Sequence, residues 1–154
     1  MKVGIYKEVQ IDTSHRLLHY EGKCANLHGH RWKVEVWMEG EPDPATKILI
    51  DYSMIKKIVD RYDHQIILNK EDPMVPRISE FHPVITTPGD PTSELMASLI
   101  RDDLYAFCQQ HGIRATVPKI RVWESPTAFA FRVLLTCRSF SICFFSAFSR
   151  RSGS

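Results

Sequence analysis

Cysteine is scarce and unpatterned. Cys24, Cys108, Cys137 and Cys143 are scattered through 154 residues, which excludes a disulfide-stapled scaffold and fits a reducing compartment. An excess of one charge is also missing: a net charge of +2, with 25% of residues charged, leaves no electrostatic footprint for nucleic acid or a membrane surface. Neither is expected as a direct partner, whereas a small anionic substrate is compatible with that balance. The apolar stretch near the C-terminus is too short and interrupted for a transmembrane helix, which needs about 20 consecutive apolar residues. The opening Met1-Lys2-Val3-Gly4-Ile5-Tyr6 enters a strand pattern without the basic and apolar regions of a signal peptide, so the expected location is cytoplasmic. The length suits one domain with a substantial core.

What is present is histidine in a particular arrangement. Cys24-Ala25-Asn26-Leu27-His28-Gly29-His30 follows His15, which lies 13 residues before His28. Val3, Ile5, Val9 and Ile11 share odd parity, and since strand side chains alternate faces, they define an apolar face that runs through Thr13 to His15. Trp32, Val34, Val36 and Met38 share even parity, and the same parity carried backwards reaches His30 and His28. If the two strands pair antiparallel through the loop from Arg16 to Leu27, the end of one lies beside the start of the other and the three imidazoles converge. Three histidines with a vacant fourth position suit catalytic zinc. Cys24 decides the type of site: on the metal it closes a tetrahedral structural centre, and beside the metal it is a thiol whose thiolate the positive charge stabilises. The second reading is favoured. A lone His-x-His at a strand start would read as a turn; a third histidine and a cysteine tip the balance to a metal site. His19, His82 and His111 lack such company and are taken as surface or loop residues.

Further along, Gly40-Glu41-Pro42-Asp43-Pro44 is a turn, and Asp51 is an N-cap for a helix with Met54, Ile55, Ile58, Val59 and Tyr62 at helical spacing. Residues 69–91 hold most of the prolines and read as an irregular connection with one short strand around Val84 to Thr86. A second helix starts near Asp90-Pro91-Thr92, carries Leu95, Met96, Leu99, Ile100, Leu104 and Phe107, and stops at Gly112. Ile120 and Val122 mark a strand that arrives at Glu124, and Thr127 to Leu135 forms the last. Two strands, two helices and two strands imply an α+β fold: an antiparallel four-stranded sheet with two helices on one face. From Arg132 the composition turns to Ser, Phe and Cys without acidic residues, dividing the chain into a domain over 1–131 and an atypical tail over 132–154. The tail is an extension that packs at an interface or one altered by a frameshift.

Two more positions carry chemistry. Asp63-His64 follows the first helix; a carboxylate beside an imidazole makes a proton carrier, and a histidine that merely complements the helix dipole is an equal alternative. Glu124 continues the parity of Ile120 and Val122, so it points to the apolar side, where a carboxylate needs a partner: a buried Arg, or a ligand with adjacent N–H donors such as a pterin ring.

Together these residues resemble the 6-pyruvoyl- and 6-carboxy-tetrahydropterin synthase family, over about Ile5 to Phe131. The resemblance implies a tunnelling fold whose sheets join into a barrel, commonly as a homohexamer. It implies zinc on His15, His28 and His30, Cys24 as catalytic thiol, and Asp63 with His64 as the proton-transfer pair. It also implies Glu124 as the pterin anchor, and Thr92 beside it in a Pro-Thr-x-Glu helix start that binds substrate. The three-residue gap between Cys24 and His28 looks like the carboxy-forming members. These convert 7,8-dihydroneopterin triphosphate to 6-carboxy-tetrahydropterin, acetaldehyde and triphosphate on the 7-deazaguanine (queuosine or archaeosine) branch of tRNA modification. Lys23, Arg16 and Arg31 are candidates for the triphosphate. The alternatives are the pyruvoyl-forming reaction and, in another class, a non-catalytic structural zinc protein.

Overall fold

The structure, a computed structural model, describes residues 1–134. Strand β1 (Val3–His15) and strand β2 (His28–Gly40) form an antiparallel ribbon whose register runs from Val3 opposite Gly40 to His15 opposite His28. Helix α1 (Tyr52–Val59) begins at Asp51, whose carboxylate accepts from the Ser53 N–H at 2.7 Å. Strand β3 (Gln65–Asn69), the short helix α2 (Met74–Ile78) and strand β4 (Val84–Thr87) follow. Helix α3 (Ser93–Gln110) is capped by Thr92 and ends before Gly112, whose φ of 64° is the left-handed conformation of a helix stop. Strands β5 (Ala115–Ser125) and β6 (Ala128–Val133) complete the sheet.

The sheet has six strands in the order β4-β3-β1-β2-β5-β6, and it is mixed: β3 runs parallel to β1, and β4 parallel to β3. The expected four antiparallel strands are therefore too few and of one direction only. The missing strand is Gln65-Ile66-Ile67-Leu68-Asn69, an apolar run of the kind that forms a strand covered on both faces and shows no alternation. The α1 crossover lets it return parallel to β1 rather than as a hairpin. The last strand stops at Val133; Leu135, Cys137, Cys143 and the rest of the expected tail lie outside the described residues. β6 passes the expected boundary at Phe131, and Arg132 Nη1 lies 3.5 Å from Asp102 of α3.

One sheet face carries the core. Val9, Ile11, Trp32, Val34, Val36, Met38, Ile120 and Val122 pack against Ile55, Ile58 and Val59 of α1 and Met96, Ile100 and Leu104 of α3. Pro118 in β5 has no N–H for the ladder, and the register shifts there: Trp37 pairs with Lys119 but Glu39 with Thr116. Beyond this bulge Gly40 pairs with Ala115 at close quarters, and a Cβ on it would lie 2.1 Å from the Arg114 carbonyl oxygen and 2.8 Å from Ala115 Cα. Backbone cannot yield as a side chain can. Gly40→Ala is expected to destabilise the fold by about 1–3 kcal/mol, the range for overpacking. Urea denaturation reads this directly, and an unchanged midpoint would contradict the close approach.

Candidate active site

The end of β1 and the start of β2 build the site. His15 is fully buried and sits opposite His28, with His30 opposite Thr13. The ring centroids of His15 lie 4.7 Å from His28 and 5.4 Å from His30, and those of His28 and His30 are 4.8 Å apart. His15 Nδ1 lies 2.8 Å from the Pro91 carbonyl and His28 Nδ1 lies 2.7 Å from the Asn26 carbonyl. A carbonyl can only accept, so both Nδ1 atoms carry the proton and both Nε2 atoms present a lone pair. The Nε2 atoms of His15, His28 and His30 are all buried and without a hydrogen-bond partner among the described residues. The desolvated Nε2 lone pairs of His15 and His28, converging with the buried Nε2 of His30, are costly unless a cation collects them.

Burial pushes the His15 pKa down to about 4, helped by His28 and His30 and opposed by the Pro91 carbonyl. His30 is lowered by burial as well, with Glu124 working against the shift. His15 and His30 are thus held toward the neutral form, the one that binds a metal.

Glu124 joins the cluster. It is the extra residue of a second irregularity, where Trp123 pairs with Phe129 but Ser125 with Ala128, and such bulges re-aim a side chain. Its Oε1 lies 3.6 Å from His15 Nε2 and 3.7 Å from His30 Nε2. Candidate ligand atoms of His15, His28, His30 and Glu124 all fall within 4.8 Å of one another, and Cys24 is not in that group. Cys24 instead lies half-buried in a 3-10 turn over Lys23–Ala25, where its carbonyl accepts from the Leu17 N–H at 2.8 Å.

Two cavities meet at His30. One of about 630 Å³ is lined by Glu124, Trp123, Pro126, Lys33 and Gln10; the other, of about 490 Å³, reaches Asp12, Thr13 and His64. Gly29, His30 and Arg31 line both. Asp63 Oδ2 lies 2.9 Å from His64 Nδ1, and its Oδ1 accepts from the Asp12 N–H at 2.8 Å. Burial works to raise the Asp63 carboxyl, and the Asp12 N–H and His64 outweigh it. His64 has a φ of 55°, held by its N–H donating to the Asp12 carbonyl at 2.6 Å, and its side chain is 78% exposed.

The Thr92 hydroxyl is engaged as the cap of α3, accepting from Leu95 at 3.3 Å. Arg16 pairs with Asp72 and Arg31 makes two 2.9 Å bonds to Asp12, so both cations are internally neutralised, whereas Lys23 is exposed. His19, taken as a surface residue, bonds Asp90 through its backbone N–H at 2.7 Å. The Pro91 and Asn26 carbonyls that orient the imidazoles leave no trace in side-chain pattern, and only the fold reveals them.

An α+β domain with a mixed sheet and a histidine-lined cleft at the end of its central ribbon is the class this geometry defines. The chain belongs to the 6-pyruvoyl tetrahydropterin synthase family, whose family model matches residues 4–133. It is 32% identical over 138 residues to the 6-carboxy-5,6,7,8-tetrahydropterin synthase of Haemophilus influenzae, covering 81% of this chain and 94% of that protein. Among solved structures, an uncharacterized protein from Wolinella succinogenes matches with a TM-score of 0.66 at 22% identity over 87% of this chain and 99% of that one. Caenorhabditis elegans 6-pyruvoyl tetrahydropterin synthase matches with a TM-score of 0.59 at 24% identity over 86% of this chain and 96% of that one. These two likenesses concern the fold. No helix among the described residues is long and apolar enough to cross a membrane.

The depressed His15 pKa has a sign that can be tested. In chelator-treated protein between pH 6.5 and about 4 the unfolded chain binds a proton at His15 that the folded one does not, so stability falls as pH falls. At pH 5 the loss is about 2 kcal/mol relative to pH 7. Urea midpoints measured across that window should drop, and His15→Gln should flatten the slope; an equal slope in both proteins would place the titration elsewhere.

Proposed function

We propose that the chain is a zinc-dependent 6-carboxy-5,6,7,8-tetrahydropterin synthase. It converts 7,8-dihydroneopterin triphosphate to 6-carboxy-tetrahydropterin, acetaldehyde and triphosphate, in 7-deazaguanine biosynthesis. The observation that carries this reading is the set of three buried, unpartnered Nε2 atoms with Cys24 outside it. A site closed by the thiol would be structural; one that leaves the thiol free is suited to catalysis. The three-residue spacing from Cys24 to His28 and the likeness to the Haemophilus influenzae protein favour the carboxy-forming branch.

Zinc held by His15, His28 and His30 would supply Lewis-acid polarisation of a substrate side-chain oxygen. Cys24, as thiolate, takes a proton from the substrate side chain. His64 moves the second proton, and Asp63 holds its Nδ1 so that Nε2 is the exchanging atom. Glu124 accepts from adjacent ring N–H groups in the larger cavity, whose Trp123 indole and Pro126 give the ring an apolar wall. The exposed side chain of His64 and the outer edges of β4 and β6, unpaired by any strand among the described residues, favour assembly into a homohexamer, where a neighbour would complete each site.

A second reading rests on the 3.6 Å and 3.7 Å approaches of Glu124 to the histidines: Glu124 closes the metal site as fourth ligand. Glu124→Gln separates the two. As a ring anchor it should retain zinc at unchanged stoichiometry and raise KM by about tenfold or more, the loss of a charged hydrogen bond; as a ligand it should lose zinc. The function itself is tested by mass spectrometry of products from zinc-loaded protein and dihydroneopterin triphosphate. 6-Carboxy-tetrahydropterin with acetaldehyde, abolished in Cys24→Ala, is the expected result. A pyruvoyl product would move the chain to the other branch, and unchanged substrate despite bound zinc would leave the structural site.

A further inference from the structure

The loop that carries Cys24 is gripped at its base by the proline-rich segment. Leu17 N–H bonds the Cys24 carbonyl at 2.8 Å, so the thiol's backbone is tied to the start of its own loop. On one side of Leu17, Arg16 Nε donates to Asp72 Oδ2 at 2.6 Å, and the Asp72 side chain is fully buried. On the other side, Asp90 Oδ2 accepts from the His19 N–H at 2.7 Å and Oδ1 lies 3.3 Å from His19 Nδ1. Asp90 is in turn fixed by the buried Asn69 at the end of β3, whose Nδ2 donates to Oδ1 at 2.8 Å, and its own carbonyl accepts from the Thr92 N–H at 2.7 Å. The next residue is Pro91, whose carbonyl orients His15.

Two functional groups are therefore referred to one short piece of backbone. We propose that Asp90 is a positioning residue that sets the Cys24 loop and the His15 imidazole in a common frame, its carboxylate holding His19 while the adjoining Pro91 carbonyl holds the ring. Asp72 supports the same frame through Arg16. The inference rests on the reading of Cys24 as the reacting thiol. Unlike a general core contact, this arrangement acts at two named places, so its loss should be felt locally: at the exposure of Cys24 and at the tightness of the histidine set.

The test compares Asp90→Ala and Asp90→Asn with the unsubstituted full-length protein. Iodoacetamide labelling is followed by peptide mass spectrometry at Cys24 and at Cys108, which is buried in α3 and reports global loosening. Asp90→Ala should speed Cys24 labelling by about tenfold or more while Cys108 changes by less than about twofold. Zinc retention against a competing chelator should weaken by about tenfold. Turnover should fall by about 10- to 100-fold in kcat with KM within about threefold. Asp90→Asn keeps one oxygen for the His19 N–H and should fall between, and it supplies the readout if Asp90→Ala does not fold. Equal acceleration at both cysteines, or an unchanged Cys24 rate with unchanged zinc retention, overturns the proposal. Normal turnover by Cys24→Ala would instead sink the reading of the thiol, and the labelling and chelator measurements would still decide the role of Asp90.

Discussion

The pairing of β1 with β2 is the constraint on which the site depends. Along this ribbon the faces are assigned by burial: Trp32, Val34, Val36 and Met38 are fully buried, while Arg31 is exposed. A slip of one residue would turn all four out of the core and drive Arg31, Lys33 and Glu35, which is now buried among Tyr6, Arg121 and Trp123 on the other face, into it. At about 1.5–3 kcal/mol for each apolar side chain, the penalty is on the order of 10 kcal/mol. The same register places His15 opposite His28. Convergence of the three imidazoles is thus a by-product of core packing, and nothing in the loop between the strands has to enforce it.

What strand pairing cannot do is orient the rings: the Asn26 carbonyl of the connecting loop does so for His28, and the Pro91 carbonyl, placed by the rest of the fold, for His15. β3 lies parallel beside the end of β1, with Thr13 opposite Gln65 and His15 opposite Ile67. This brings Asp63-His64 against Asp12 and, through Asn69, fixes the turn that holds Pro91 beside His15. The two cavities then flank His30, with the Glu124 carboxylate in one and the His64 imidazole in the other.

The parts legible in the sequence are those where one residue's environment is set by its neighbours along the chain. Odd parity ending at His15, even parity beginning at His28, the Asp51 cap, a helix start near Thr92 and the Gly112 stop are all local signals, and each appears in the structure. Parity also put Glu124 on the correct face, though not beside the histidines, because the bulge that aims it is a property of two strands together. β3 was illegible for the opposite reason. Ile66, Ile67 and Leu68 are three apolar residues in a row, and a run covered on both faces has no period to read. Residues 69–91 were read as irregular because proline suppresses both periods, yet Asn69, Asp72 and Asp90 there make side-chain bonds to the strands and the thiol loop. Long-range hydrogen bonds of this kind have no local signature at all.

His64 shows how strain and function are joined. A non-glycine residue in the left-handed region costs roughly 1–2 kcal/mol, and here the φ of 55° is held by the bond from its N–H to the Asp12 carbonyl and by Asp63 on its ring. Asp12 is itself fixed by the two bonds from Arg31. Arg31 therefore holds the strand edge against which the strained turn is set. The structure spends these interactions on a side chain that is 78% exposed, where packing gains nothing. A rigidly aimed imidazole in water is explicable if something else is to meet it, whether substrate or a neighbouring subunit, and it is hard to explain as a helix-end histidine alone.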